Sequence, residues 1–174
     1  MKMSKKDEVD VSEQVNWSRY LLIDNPSTGI VKMVKKEDFY KELLIANFKH
    51  WQVYLHESQC YLGRSYIWAK RKDALDFFDM NAGEKKEYFE VGRALKSALT
   101  RAFKPDLFNY ATLANISPHL HTHVIPRYKT EREFSGIVFR DLRWGKNYVH
   151  YDKNFKVENV ILFKIRDEIK DKLR

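Results

Sequence analysis

Three of the chain's six histidines fall within nine residues, His119-Leu120-His121-Thr122-His123-Val124-Ile125-Pro126-Arg127. In an extended strand alternate side chains share a face, so these imidazoles would line one surface about 6.6 Å apart, with Leu120, Thr122 and Val124 turned to the core. Three kinds of chemistry fit such a row. The histidines could sit on a solvated face, a role that lysines would fill as well. They could bind zinc, but the first and third lie about 13 Å apart along a strand and cannot share one ion without a bulge. Or a neutral imidazole attacks phosphorus while its neighbours stabilise the charge that builds up on oxygen. The spacing favours this last reading and singles out His121 as nucleophile, because it is flanked on both sides.

The rest of the chain must supply a sheet for that strand. Tyr20 to Ile23 and Ile30 to Val34 flank the turn formers Asp24 to Gly29 and predict a hairpin that starts a sheet. From Lys36 to His50, Tyr40, Leu43, Leu44 and Phe48 recur at helical spacing behind the acidic pair Glu37-Asp38, which predicts a helix. Trp51 to Leu55 and Tyr61 to Ala69 read as an antiparallel strand pair linked by His56-Glu57-Ser58-Gln59. Asn81-Ala82-Gly83-Glu84 has the spacing of a capping box, and Tyr88, Val91, Leu95, Ala98, Leu99 and Ala102 continue an apolar helix face until Pro105 stops it. Asp106 to Ala114 and His119 to Tyr128 are two further strands. Val157, Ile161, Ile165, Ile169 and Leu173, four apart, predict a last helix. The fold class is α+β, an antiparallel sheet of about five strands with a long helix packed on it. An N-terminal segment, 1–18, precedes one domain, 19–174, that ends in the C-terminal helix.

At 174 residues, 44% hydrophobic and 14% aromatic, the composition excludes disorder as the dominant state. The net charge of +8 attracts anions such as phosphate, nucleotide or nucleic acid without choosing among them. Cys60 is the sole cysteine, which excludes an internal disulfide framework and a zinc site built on paired cysteines, and it reads as a buried structural thiol. Met1 to Val11 holds no apolar stretch long enough for a signal sequence, so the expected location is the cytoplasm, away from any membrane.

HLHTHVIPR resembles the signature of the histidine triad (HIT) family, His-apolar-His-apolar-His and two apolar residues, often continued by Pro-Arg. Thr122 stands where a bulky or apolar residue is more usual. The similarity extends upstream through Asn109-Tyr110 and Asn115-Ile116-Ser117-Pro118, and downstream through Phe134 to Tyr148. The resemblance implies a bacterial-type HIT-domain nucleotide hydrolase or nucleotidyl transferase, acting on the α-phosphate of a dinucleoside polyphosphate (diadenosine polyphosphate among them) or nucleoside phosphoramidate, and a homodimer. By motif position His121 matches the nucleophile, His123 would contact phosphate and leaving group, and His119 would hold the central imidazole. Asn115, with Asn109 and Ser117 as further candidates, matches a group that hydrogen-bonds phosphate oxygen. Two positions depart from the pattern. No histidine follows Ala69-Lys70-Arg71-Lys72-Asp73, and Ile116 stands three residues before the first histidine, where a hydroxyl is common, with Ser117 one place later.

Arg127, at the end of the triad strand, is a candidate for phosphate as much as for a salt bridge. Lys70-Arg71-Lys72 reads first as a solvated charge run, and Trp144 and Tyr148 as core aromatics or base-stacking groups. No metal ligand set or cofactor motif is visible, and a magnesium ion would travel with a polyphosphate substrate. Two other functions remain open at this point: a nucleotide-binding module without turnover, and removal of nucleotide adducts from nucleic-acid ends.

Overall fold

The computed structural model describes residues 20–25, 30–149, 152 and 154–173. The N-terminal segment 1–18 and the hairpin turn 26–29 lie outside them. Strands β1 (Tyr20–Asn25) and β2 (Ile30–Lys35) form the expected antiparallel hairpin. It is a two-stranded sheet of its own and does not start the main one.

The helix expected over Lys36 to His50 is shorter. Helix α1 (Lys36–Glu42) carries Glu37 and Asp38 in its first turn, and Leu44–Asn47 is strand β3. Helical spacing was satisfied by Tyr40, Leu43 and Leu44, but the backbone from Leu44 onward pairs with the next strand, and that pairing outweighs local periodicity. Tyr40, placed on the apolar face by that spacing, is 44% exposed.

Five strands make the main sheet in the order β3-β4-β5-β7-β6, every neighbouring pair antiparallel. They include β4 (Trp51–Leu55), β5 (Ser65–Ala69), β6 (Leu107–Ala111) and β7 (His121–Arg127). The strands are shorter than the apolar runs suggested, since residues 60–64 turn before β5 and His119 precedes β7. A small hairpin of β8 (Arg132–Phe134) and β9 (Ile137–Phe139) follows.

Helix α2 (Ala82–Phe103) begins at the expected capping box: Asn81 Oδ1 accepts from Glu84 N–H, and Glu84 Oε2 accepts from Asn81 N–H, both at 2.9 Å. Its buried face, Val91, Leu95, Ala98, Leu99 and Phe103, packs on Trp51, Val53, Leu55 and Ile67 of the sheet. Helix α3 (Asn159–Leu173) lays Ile161, Leu162, Ile165 and Ile169 against α2 and β3. Among the described residues no helix is long and apolar enough to cross a membrane.

Gly63 connects this core to the other face of the sheet. Its φ of +82° turns the chain into β5, and a Cβ there would meet Leu99 Cδ2 and Phe103 Cδ2 at 2.8 Å. Both backbone and space therefore require glycine. Gly63→Ala is expected to lower unfolding free energy by about 2 kcal/mol or more, read from urea denaturation. An unchanged midpoint would contradict the packing of α2 against this turn.

Candidate active site

Strand β7 is buried on both faces. Leu120, Thr122, Val124 and Tyr128 point toward α2, while His121 and His123 keep 6% and 4% of their exposure. The His121 and His123 rings are enclosed, which does not fit the alternative of a solvated histidine face. The cover comes from β5, whose register sets Trp68 opposite His121 and Tyr66 opposite His123. The Trp68 indole lies nearly parallel to both His119 and His121, with ring centres 4.8 Å apart in each pair. Tyr66 packs 4.9 Å from His123 and stacks on His56 at 4.6 Å.

Hydrogen bonds assign the nitrogens. His121 Nδ1 lies 2.7 Å from the carbonyl oxygen of His119, which can only accept, so Nδ1 carries the proton and Nε2 the lone pair. Burial pushes the His121 pKa below the usual histidine value, the bond to His119 O acts against this, and the neighbouring His119 ring adds to the lowering. The neutral form is thereby favoured. His119 Nε2 donates to Ala69 O at 2.7 Å, which ties the residue to the end of β5. The contact from His119 to His121 is made by the His119 main-chain oxygen, while the His119 ring packs against Trp68.

His123 meets Arg64, whose side chain is fully buried. Arg64 NH2 lies 3.4 Å from His123 Nδ1, and a guanidinium can only donate. Beside them His56 Nδ1 accepts from Ser58 N–H at 2.9 Å. Glu57 approaches the same nitrogen at 3.4 Å, but with its lone pair directed at Ser58 this nitrogen has no proton for an ion pair. Burial, with Glu57 nearby, pushes the Tyr66 pKa far up, so the phenol stays protonated and donates to Glu57 at 3.3 Å. Arg64, Tyr66, Trp68 and His56 were not singled out from the sequence. The available signal was the alternation Ser65-Tyr66-Ile67-Trp68-Ala69, which sends two aromatics to the face opposite the core.

Asn115 and Ser117 lie exposed on the loop entering β7, with Ser117 O accepting His119 N–H at 2.7 Å. Arg127 and Asn109, expected as phosphate contacts, hydrogen-bond to each other and both border the cavity that Trp144 and Tyr148 line. Arg127 is 3% exposed, its Nε is 2.6 Å from buried Asp141, and NH1 donates to Asn109 Oδ1 at 2.6 Å. NH2 also reaches Asp141 and the carbonyls of Arg143 and Lys146. Arg127 therefore holds the 141–146 loop. Arg71 is likewise engaged, with Glu84 at 2.8 Å, and Lys70 donates to Phe48 O. Cys60 is half-buried, with Ser58 Oγ 3.7 Å from its sulfur. Trp144 and Tyr148 line a cavity of about 820 Å³ with Phe108, Tyr110, Leu113 and Lys146, and no triad histidine borders it.

The triad thus brings together a His121 Nε2 lone pair, the buried His123 ring beside it and a polar entry loop. Residues 65–130 match the family model described as the HIT domain. The fold is similar to a histidine triad protein of Sinorhizobium meliloti, at 16% identity over 79% of this chain and 95% of that one, TM-score 0.63. It is also similar to histidine triad proteins of Bradyrhizobium japonicum (19%, covering 81% and 97%, TM-score 0.61) and Marinobacter aquaeolei (15%, 82% and 97%, TM-score 0.58). No curated protein matches the chain. Because Arg127 and Asp141 are buried together, Asp141→Ala should cost about 3 kcal/mol of stability, measured by chemical denaturation. A loss below about 0.5 kcal/mol would mean that the pair does not anchor the loop.

Proposed function

We propose that this chain, which carries a HIT domain over residues 65–130, is a nucleotide-conjugate hydrolase or nucleotidyl transferase working through a covalent nucleotidyl-histidine. The observation that carries the reading is the 2.7 Å bond from His121 Nδ1 to His119 O, which leaves the Nε2 lone pair for attack. In the first step that lone pair forms a bond to the α-phosphorus, the bond to the leaving group breaks, and its electron pair departs with the leaving group. In the second, water attacks the same phosphorus and its proton passes to solvent, the phosphorus–nitrogen bond breaks with its electron pair returning to Nε2, and His121 returns to neutral imidazole. His123 supplies a hydrogen bond to oxygen during both steps, and Asn115 and Ser117 stand at the entry to bind phosphate. Arg127 and Asn109 contribute through the loop they hold. A homodimer and a cytoplasmic location belong to the same reading.

A panel of adenine and guanine dinucleoside polyphosphates, phosphoramidates and adenylated DNA ends tests it. His121→Ala should lower turnover by about 10³-fold or more while a non-hydrolysable analogue still binds within about threefold. His119→Ala and His123→Ala should each retain more activity than His121→Ala, since neither forms the bond to phosphorus. Full activity in His121→Ala would end the mechanism, and binding without turnover of any conjugate would make the chain a binding module.

The pH dependence separates attack from anion binding. An attacking imidazole must be neutral, and the lowered pKa of His121 extends the neutral form below the ordinary histidine value of about 6.5. Single-turnover rate should therefore hold through pH 6.5 and then fall about tenfold per unit in more acid solution. Affinity for the analogue should hold or rise over the same range, because a protonated His121 adds positive charge beside the phosphate. A rate that follows affinity throughout would contradict attack by neutral His121.

A further inference from the structure

Arg64 is a buried cation that the two-step mechanism leaves without a task. It sits at the end of the turn set by Gly63, where its carbonyl accepts from His56 N–H at 3.0 Å and from Gln59 Nε2 at 2.9 Å. Its exposure is 0%, so it cannot meet a phosphate directly. Its NH2 group lies 3.4 Å from His123 Nδ1. Since the guanidinium has donors only, Nδ1 must present its lone pair, and the single proton of the neutral ring belongs to Nε2. Among the described residues, Tyr66 from β5, His56 from the β4–β5 link with Glu57 next to it, and His121 from the same strand also approach this imidazole. A second proton on the His123 ring could enter only at Nδ1, where the Arg64 donor already points.

We propose that Arg64 is a specificity-determining positioning residue: it holds His123 as a hydrogen-bond donor with no spare proton, so the site favours conjugates whose leaving group departs as a stable anion. This rests on the nucleotidyl-transfer reading above and names its substrate class. When the α-phosphorus bears another phosphate, the bridging phosphorus–oxygen bond breaks and the oxygen keeps the electron pair. The phosphate leaves as an anion, and the Nε2 proton stays on His123 while bonded to that oxygen. When the α-phosphorus bears an aliphatic amine, the leaving nitrogen must gain a proton as the bond breaks. A neutral ring that gave up its only proton would become an anion, so His123 cannot supply it. Phosphoanhydrides are therefore the substrates, and phosphoramidates of amines are poor ones.

The experiment compares full-length wild type, Arg64→Gln and Arg64→Lys on a dinucleoside polyphosphate and on an alkylamine phosphoramidate of the same nucleoside, with ¹⁵N NMR of the histidine rings. Wild type is expected to prefer the polyphosphate by at least about tenfold in kcat/KM. Arg64→Gln should shrink that preference at least about fivefold, and Arg64→Lys, which keeps a cationic donor, should restore most of it. A purely structural role would lower both rates together and leave the ratio unchanged, which would overturn the proposal. The NMR readout requires no variant: His123 must show a protonated Nε2 and an unprotonated Nδ1, and the reverse tautomer overturns the proposal even if Arg64→Gln fails to fold. Equal rates on the two substrates in wild type would overturn it while leaving nucleotidyl transfer intact. If wild type cleaves neither substrate, both the transfer reading and the substrate preference fall.

Discussion

The register of β7 between β5 and β6 is the constraint on which the site depends. Alternation puts Leu120, Thr122 and Val124 on the core side and the histidines on the other, so a slip of one residue would exchange the two sets. Thr122 fixes the choice with its hydroxyl, which meets Tyr88 OH from α2 at 3.0 Å and Thr112 Oγ1 at 2.7 Å. This accounts for a polar residue where a triad strand more often has an apolar one. Its buried oxygen is satisfied in one register only.

From that register the chemistry follows by local geometry. Trp68 and Tyr66 face His121 and His123 because β5 pairs in step with β7, and the aromatic wall excludes water from the rings. The backbone then assigns one proton: His119 O claims the Nδ1 proton of His121. A side chain from the turn before β5 assigns the other, through Arg64. These hydrogen bonds give His121 and His123 opposite characters at Nε2, a lone pair on one and a proton on its neighbour, although they are two residues apart on one strand.

Much of this was legible in local sequence. The capping box, the long apolar face ending before Pro105, the strand pair around His56 to Gln59 and the histidine row each depend on residues within a few positions of one another. What escaped depends on partners distant in sequence. Leu44–Asn47 is a strand because β4 accepts it as an edge, which no local pattern announces. Arg127 ends its own strand with the look of a phosphate ligand, and only the 141–146 loop brings Asp141 to it. Arg64 and His123 are 59 positions apart and meet only once the sheet has formed.

The net charge of +8 attracts anions in general, and the buried residues argue for something narrower. On β7 the one cation, Arg127, lies four residues beyond His123, about 13 Å along the strand, and is neutralised by Asp141. Arg71 at the end of β5 is neutralised by Glu84. The surface excess of lysine and arginine can draw an anionic substrate in from solution, but it is screened within about 10 Å at ordinary salt and cannot decide the reaction. In the proposed mechanism the groups at the reacting phosphorus would be imidazoles whose ring protons are set by buried hydrogen bonds. Under the proposed reading, discrimination among conjugates would rest on how stable the departing group is as an anion, a property of the substrate that Arg64 and His123 would read through one proton.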